Sequence, residues 1–419
     1  MNGIIDIHCH PTIKMYLYEG TEKERDLDGN NDTKKEFDAF HLQVDLNKMK
    51  ASNTRCIWAA HYVPEKGLMD NSVILSAISG ILGLMWKKVF HRLEKYNPPD
   101  AVTYQTMNSI RTFERKVDQA RRSFPKVTIA HSFAEFKSAL DNGFPVIVQT
   151  LEGGHMLGRD LPSKSTATPE KEYIAALHLF NTRGIAMITL GHFFDNDITA
   201  CAQGLPPLIH KLMDKTTYQQ NHAIGLTAIG KKVVEEMLSI GIIIDLIHCT
   251  EKAREEIYAI NNNRRPLVFS HTGVQGCFNS KDFPDDRRTL PSDDEIRKIH
   301  DCKGVIGVIM NIYWLKGIDE ADLFHVFDTK VDLGIKYVLE TIDYIQNVIL
   351  RYKKDANVAC DYICIGTDYD GFTDPPDDMQ DISFLNLIVD GLRKMNYPQS
   401  DIDKIMFGNS IRVLEQGWH

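Results

Sequence analysis

Eight short stretches of the chain are almost continuously apolar: IIDIH (4–8), RCIWAAH (55–61), PVIVQTLE (145–152), IAMITLGH (185–192), IIIDLIH (242–248), PLVFSH (266–271), VIGVIMN (305–311) and YICIGTD (362–368). Runs of this length without strict alternation fit strands buried on both faces, as in a parallel sheet. Most lead into segments such as AIGKKVVEEMLSIG, TEKAREEIYAINN, SDDEIRKIHD and VLETIDYIQNVILRYKK. Their apolar residues recur at the spacing of an amphipathic helix. Strand and helix patterns alternating in this way predict an α/β fold, a (β/α)8 TIM-type barrel. The pattern takes in residues 1–419 as a single domain, with insertions at about 12–54, 62–126 and 196–224. The middle insertion carries SVILSAISGILGLMW (72–86), short of the ~18 to 20 residues of a membrane span. A helix packed on the body, or in a homodimer interface, is expected there.

Composition changes this picture little, since 43% hydrophobic and 25% charged residues are those of an ordinary globular protein. Charge excludes more. The 48 basic and 57 acidic residues leave a formal net charge of −9, which argues against nucleic acid or an anionic membrane as the partner. Eight cysteines are scattered without CxxC pairs, several of them (Cys9, Cys249, Cys364) in or beside apolar runs, and read as reduced thiols. The first residues lead directly into a strand, without the charged leader and apolar core of a secretory signal. A cytoplasmic protein acting on a small molecule is expected.

In a barrel, active-site residues sit at the C-terminal ends of the strands. Six of the eight runs end in a metal ligand or base: His8 and His10, Glu152, His192, His248, His271 and Asp368. Imidazole and carboxylate are the donors that Zn²⁺ accepts, and one carboxylate can bridge two ions. The reading is therefore two divalent metals, zinc on donor chemistry. Glu152 is the bridge, beside Gly153 and Gly154, which let the chain turn sharply. His8 and His10 serve one ion, and His248 and His271 the other. A water shared by the ions is the expected nucleophile, with Asp368 as general base. His61, His155 and Asp370 lie near strand ends and fit supporting roles.

At these residues the chain resembles the membrane (renal) dipeptidases of the amidohydrolase superfamily. The resemblance is carried by EGGH (152–155), ITLGHFFDN (188–196), LTAIGKKVVEEMLSIGIIIDLIHCT (226–250), PLVFSHTG (266–273), RRTLPSDDEI (287–296), IGTDYDG (365–371) and FGNSIRVLE near the C-terminus. It implies a binuclear zinc dipeptidase, with His192 holding the substrate or the developing oxyanion and Asp368 moving the proton. It also implies an arginine grip on the substrate carboxylate, for which Arg288 is the best match. The rival reading of Arg288 is a surface ion pair in an acidic loop. One departure stands out: the family carries H-x-D on its first strand and this chain has H-x-H, which leaves the site about one charge more positive. Two alternatives remain open at this point, hydrolysis of a non-peptide amide, lactone or ester, and a catalytically inactive metal-binding scaffold.

Overall fold

A computed structural model of the chain describes residues 3–20, 24–29, 41–65, 102–158, 168–202, 221–279, 286–317, 334–371 and 375–419. All eight expected strands form. They are β1 (Ile4–Cys9), β2 (Thr54–His61), β4 (Val146–Glu152), β5 (Ile185–Thr189), β6 (Ile243–Asp245), β7 (Leu267–Thr272), β8 (Val305–Val308) and β9 (Ile363–Ile365), with a short β3 (Thr128–Ala130) that the apolar pattern does not announce. Every pairing between these strands is parallel. The sheet runs β2-β1-β9-β8-β7-β6-β5-β4 and closes through β2 and β4, whose register runs from Cys56 opposite Val146 to His61 opposite Leu151. The result is the TIM-type barrel, eight strands surrounded by helices. β3 pairs with Val146–Val148, the start of β4, while β5 joins β4 further along, from Gln149 to Glu152.

Burial follows the pattern that predicts it. Most strand positions are fully buried, and successive residues divide between two apolar clusters, as side chains on alternate faces must. The larger includes Ile57, Ile147, Ile188 and Phe269 with helix residues such as Val233, Ile257 and Ile342. The smaller includes Ile5, Trp58, Val148 and Val268 with Val413 and Leu414 from the C-terminal helix and Trp418 just beyond it.

The helix patterns become helices at Ala228–Ile240, Glu251–Asn261, Asp293–Asp301 and Ile335–Lys353. Their ends are set locally: Thr227 and Thr250 cap the first two, and Ser292 with Glu295 forms a reciprocal capping box on the third. Of the middle insertion, a helix at Val102–Ala120 is described, while residues 72–86 lie outside the described residues. Four strands are shorter than their apolar runs, pairing only as far as Thr189, Asp245, Val308 and Ile365. After two of them the backbone turns through the left-handed region, at His248 (φ 61°) and Asp368 (φ 60°). Their side chains are thus carried by strained loops at the strand ends rather than by the ladder itself.

Candidate metal centre

The residues expected from the strand ends converge on one carboxylate. Glu152, the last residue of β4, is buried. Its Oε1 lies 3.4 Å from His8 Nε2 and 3.5 Å from the Nε2 atoms of His248 and His271. Its Oε2 lies 3.1 Å from His10 Nε2 and 3.5 Å from His192 Nε2. Asp368 Oδ1 completes the group, 3.3 Å from His10 Nε2 and 3.8 Å from His8 Nε2. Gly153 follows at φ 114°, and a side chain on Gly154 would meet the Leu190 carbonyl at 2.5 Å, so the turn that presents Glu152 requires both glycines. Aromatic rings flank the group: Phe193 and Tyr62 lie 3.8 and 4.7 Å from the His192 ring, and Trp314 lies 5.8 Å from that of His248.

This arrangement fits a cation better than it fits hydrogen bonding alone. Three overlapping groups have donor atoms close enough to share an ion: His8, His10 and Asp368; His8, Glu152 and His271; Glu152, His192 and His248. His8 and His10 turn Nε2 atoms toward each other at 3.0 Å, a contact in which two bare lone pairs repel unless a cation or proton lies between them. The Nδ1 atoms of His8, His10 and His248 are buried and have no hydrogen-bond partner among the described residues. The electrostatics agree. Burial opposes a charge on His10, but Glu152 and Asp368 outweigh it and push its pKa up to about 10. Burial also opposes ionised Glu152, yet His10, His192 and His8 hold it well below the usual carboxylate range. Burial and the neighbouring His8 push His271 well below the ordinary histidine value. The field therefore favours positive charge at the focus while keeping part of the imidazole set neutral, the form in which nitrogen binds a metal.

The family model of the membrane dipeptidases (Peptidase family M19) matches residues 2–417. The chain belongs to this family. Its sequence is 23% identical over 399 residues to Dipeptidase tcpJ of Claviceps purpurea (strain 20.1), covering 94% of this chain and 77% of that protein. It is 28% identical over 194 residues to an uncharacterized Klebsiella pneumoniae protein in the pqqA 5' region, covering 46% of this chain and 62% of that one. It is 25% identical over 267 residues to Dipeptidase 3 of Rattus norvegicus, covering 64% of this chain and 44% of that protein. The matches to the last two span less than two thirds of those relatives. Among solved structures, a metallo peptidase from Rhodobacter sphaeroides, liganded with a phosphinate mimic of the dipeptide L-Ala-D-Ala, has the same fold, with a TM-score of 0.70 at 18% identity over 99% of each chain.

As a member of the membrane dipeptidase family, the chain brings together seven of the eight residues that its sequence nominates: His8, His10, Glu152, His192, His248, His271 and Asp368. Arg288 stands apart. Its guanidinium is half exposed and paired with Glu251, Nε to Oε2 at 2.8 Å, a surface ion pair with the first residue of the Glu251–Asn261 helix rather than with the acidic loop. Three buried carboxylates that no motif singles out hydrogen-bond these residues or the segments that carry them. Glu65, buried in the loop after β2, accepts from His192 Nδ1 at 3.1 Å and from the Phe194 N–H at 3.2 Å. Asp6 accepts from the N–H of His8 and from the N–H and hydroxyl of Thr367, tying β1 to the turn that carries Asp368. Burial raises the Asp6 pKa to about 6, even though these donors act against the shift. Asp245 accepts from groups on β5 and β7. The supporting residues also have definite partners. His61 contacts Ser109 and Gln149, His155 Nε2 contacts the Val63 carbonyl, and Asp370 takes Lys14 at 2.8 Å and the N–H groups of Gln43 and Val44.

No helix among the described residues is long and apolar enough to cross a membrane. All eight cysteines are free, as the sequence reading expects.

Proposed function

We propose that this protein is a binuclear zinc dipeptidase, acting through residues 1–419 as one hydrolase domain. The observation that carries the reading is the position of Glu152. Its two oxygens each face a different set of imidazoles, from the ends of four strands, all within 3.5 Å. A bridging carboxylate needs that geometry. His8, His10, His248 and His271 would hold the two ions with Glu152 shared between them; the oxygens divide the imidazoles differently from the expected His8–His10 and His248–His271 pairs, since His8 lies with His248 and His271 on Oε1 and His10 with His192 on Oε2. Bound there, the ions would polarise the scissile carbonyl and make water acidic near neutral pH.

The rest of the chemistry belongs to the side chains. Water adds to the peptide carbonyl, and Asp368 takes its proton. The adduct then expels the amine, which recovers that proton from Asp368. His192, held at Nδ1 by Glu65, turns Nε2 toward the focus, where it can donate to the oxygen on which charge develops. Arg288 would exchange Glu251 for the substrate carboxylate. The existing Arg288–Glu251 pair also favours a second reading, hydrolysis of an amide, lactone or ester that has no free carboxylate. Ionised Glu152 and a nearby Asp368 argue against an inactive scaffold, which has no use for a base beside its metals. The eight free cysteines support a reducing, cytoplasmic setting.

The test is metal analysis of purified protein together with a dipeptide library, before and after chelation and zinc re-addition. About two ions per chain and zinc-restored dipeptide cleavage are expected. Turnover confined to esters or amides lacking a free carboxylate would select the second reading.

A further inference from the structure

Asp245, the last residue of β6, is fully buried and accepts four hydrogen bonds. Its Oδ1 takes the backbone N–H groups of Ile247 (3.2 Å) and Ser270 (3.0 Å). Its Oδ2 takes the hydroxyls of Thr189 (2.7 Å) and Ser270 (2.6 Å). Ser270 Oγ has a further partner, His271 Nδ1, at 2.8 Å. The carboxylate thus joins the ends of the three strands that lead to His192, His248 and His271.

The proton count along this chain is constrained. A hydroxyl has one proton to give, and at Ser270 it goes to the Asp245 carboxylate. Only lone pairs then remain for His271, so Nδ1 must be the donor. A neutral imidazole with its hydrogen on Nδ1 has a bare Nε2, and that atom faces Glu152 Oε1 at 3.5 Å. We infer that Asp245, acting through Ser270, is a positioning residue that fixes His271 in the tautomer whose Nε2 can bind a metal. The inference rests on the proposed role of His271 as a metal ligand.

Asp245→Asn should reverse the relay. The two backbone N–H groups at Oδ1 can only donate, so the amide oxygen must take that place and the amide nitrogen must replace Oδ2. The nitrogen then donates to Ser270, whose own proton turns to His271 Nδ1. Hydrogen is forced onto Nε2, where it blocks the metal. Adding Ser270→Ala removes the misdirected proton and frees the imidazole to choose.

The experiment is zinc titration of the full chain against a chromophoric chelator, with thermal melts as the check on folding. Asp245→Asn should weaken binding of one of the two ions by about 10- to 100-fold, the usual effect of losing the partner that orients a ligand. The Asp245→Asn/Ser270→Ala double variant should bind that ion more tightly than Asp245→Asn alone. A structural role for Asp245 gives the opposite order, because the double variant loses more contacts. His271→Ala separates the two ideas. If it leaves zinc binding unchanged, His271 is no ligand and the reading of the centre fails. If it weakens binding but the double variant recovers nothing, the relay is wrong and the centre stands. Should Asp245→Asn not fold, imidazole ¹⁵N spectra of the zinc-free wild type decide: hydrogen on Nδ1 of His271, lost as a fixed preference in Ser270→Ala, supports the relay, and hydrogen on Nε2 overturns it.

Discussion

Glu152→Gln preserves the size of the side chain while removing one unit of charge, and one of two oxygens, from the point where the centre converges. The oxygens lie 3.1 to 3.5 Å from the Nε2 atoms of His8, His10, His192, His248 and His271, so ions held by those nitrogens would share the carboxylate at close range. Counting only one unit of each divalent ion's charge, its attraction to a carboxylate about 4 Å away is already roughly 4 kcal/mol at an effective dielectric near 20. That energy corresponds to about a thousandfold in a dissociation constant. The amide keeps one carbonyl oxygen, so one ion loses charge only, and the other loses charge and a ligand atom. Both affinities should fall, each by at least about three orders of magnitude on this arithmetic, and further for the ion that also loses a ligand atom. Metal analysis after gel filtration, with chelator competition for each step, reads the two affinities separately. Loss of a single ion, with the other bound as tightly as in the wild type, would refute the bridge.

Three further outcomes are expected. Asp368→Asn should retain both metals and lower kcat by ~10² to 10⁴, the range for a lost general acid or base; loss of metal with the fold intact would make Asp368 a ligand beside His8 and His10, and loss of metal with poor folding would make it structural. His10→Asp introduces the H-x-D form that the resemblance implies and makes the centre one charge more negative, so the acidic limb of the kcat/KM profile should move to higher pH with both metals kept; an unmoved limb with unchanged metal content would remove His10 from the ligand set. Burial pushes His61 down to about 4, against ~6.5 for a free histidine, so its neutral form contributes stability that is full above about pH 6.5 and lost as pH falls toward 4, roughly 3 kcal/mol in all. His61→Phe should flatten acid unfolding in that window, and a denaturation midpoint that falls as steeply as in the wild type would contradict it.

The barrel was legible because buried parallel strands leave continuous apolar runs, and the site was legible because each polar interruption falls at the same end of a strand. β3 was not, since three residues are too few to form a run. Strand ends were overestimated where the backbone leaves the ladder at His248 and Asp368, because local sequence does not encode where hydrogen bonding stops. Asp6 and Asp245 carried a visible signal, a carboxylate inside an apolar run two or three residues before a histidine. Their roles depend on Thr367, in the turn after β9, and Ser270, in β7, which only the fold brings to them. Glu65 had no such signal, because it lies in an irregular loop and meets His192 only through the fold. For Arg288 a surface ion pair is observed, but its partner, Glu251, comes from another segment that the neighbouring acidic loop does not point to.

The adjacency of β1 and β9 has a consequence for how the protein is made. The N–H of Asp368 donates to the carbonyl of His8 at 2.9 Å, so the first and last barrel strands meet at the centre. On the ribosome, about 360 residues must be added after His8 before Asp368 exists, roughly 20 to 70 seconds at 5 to 20 residues per second. Glu152, His192, His248 and His271 all emerge in that interval. One half of the centre can assemble on the nascent chain, while His8 and His10 wait for the strand beside them until synthesis is nearly complete. Assembly of the whole group is therefore tied to barrel closure, and a chain truncated before β9 would carry Glu152, His192, His248 and His271 without Asp368.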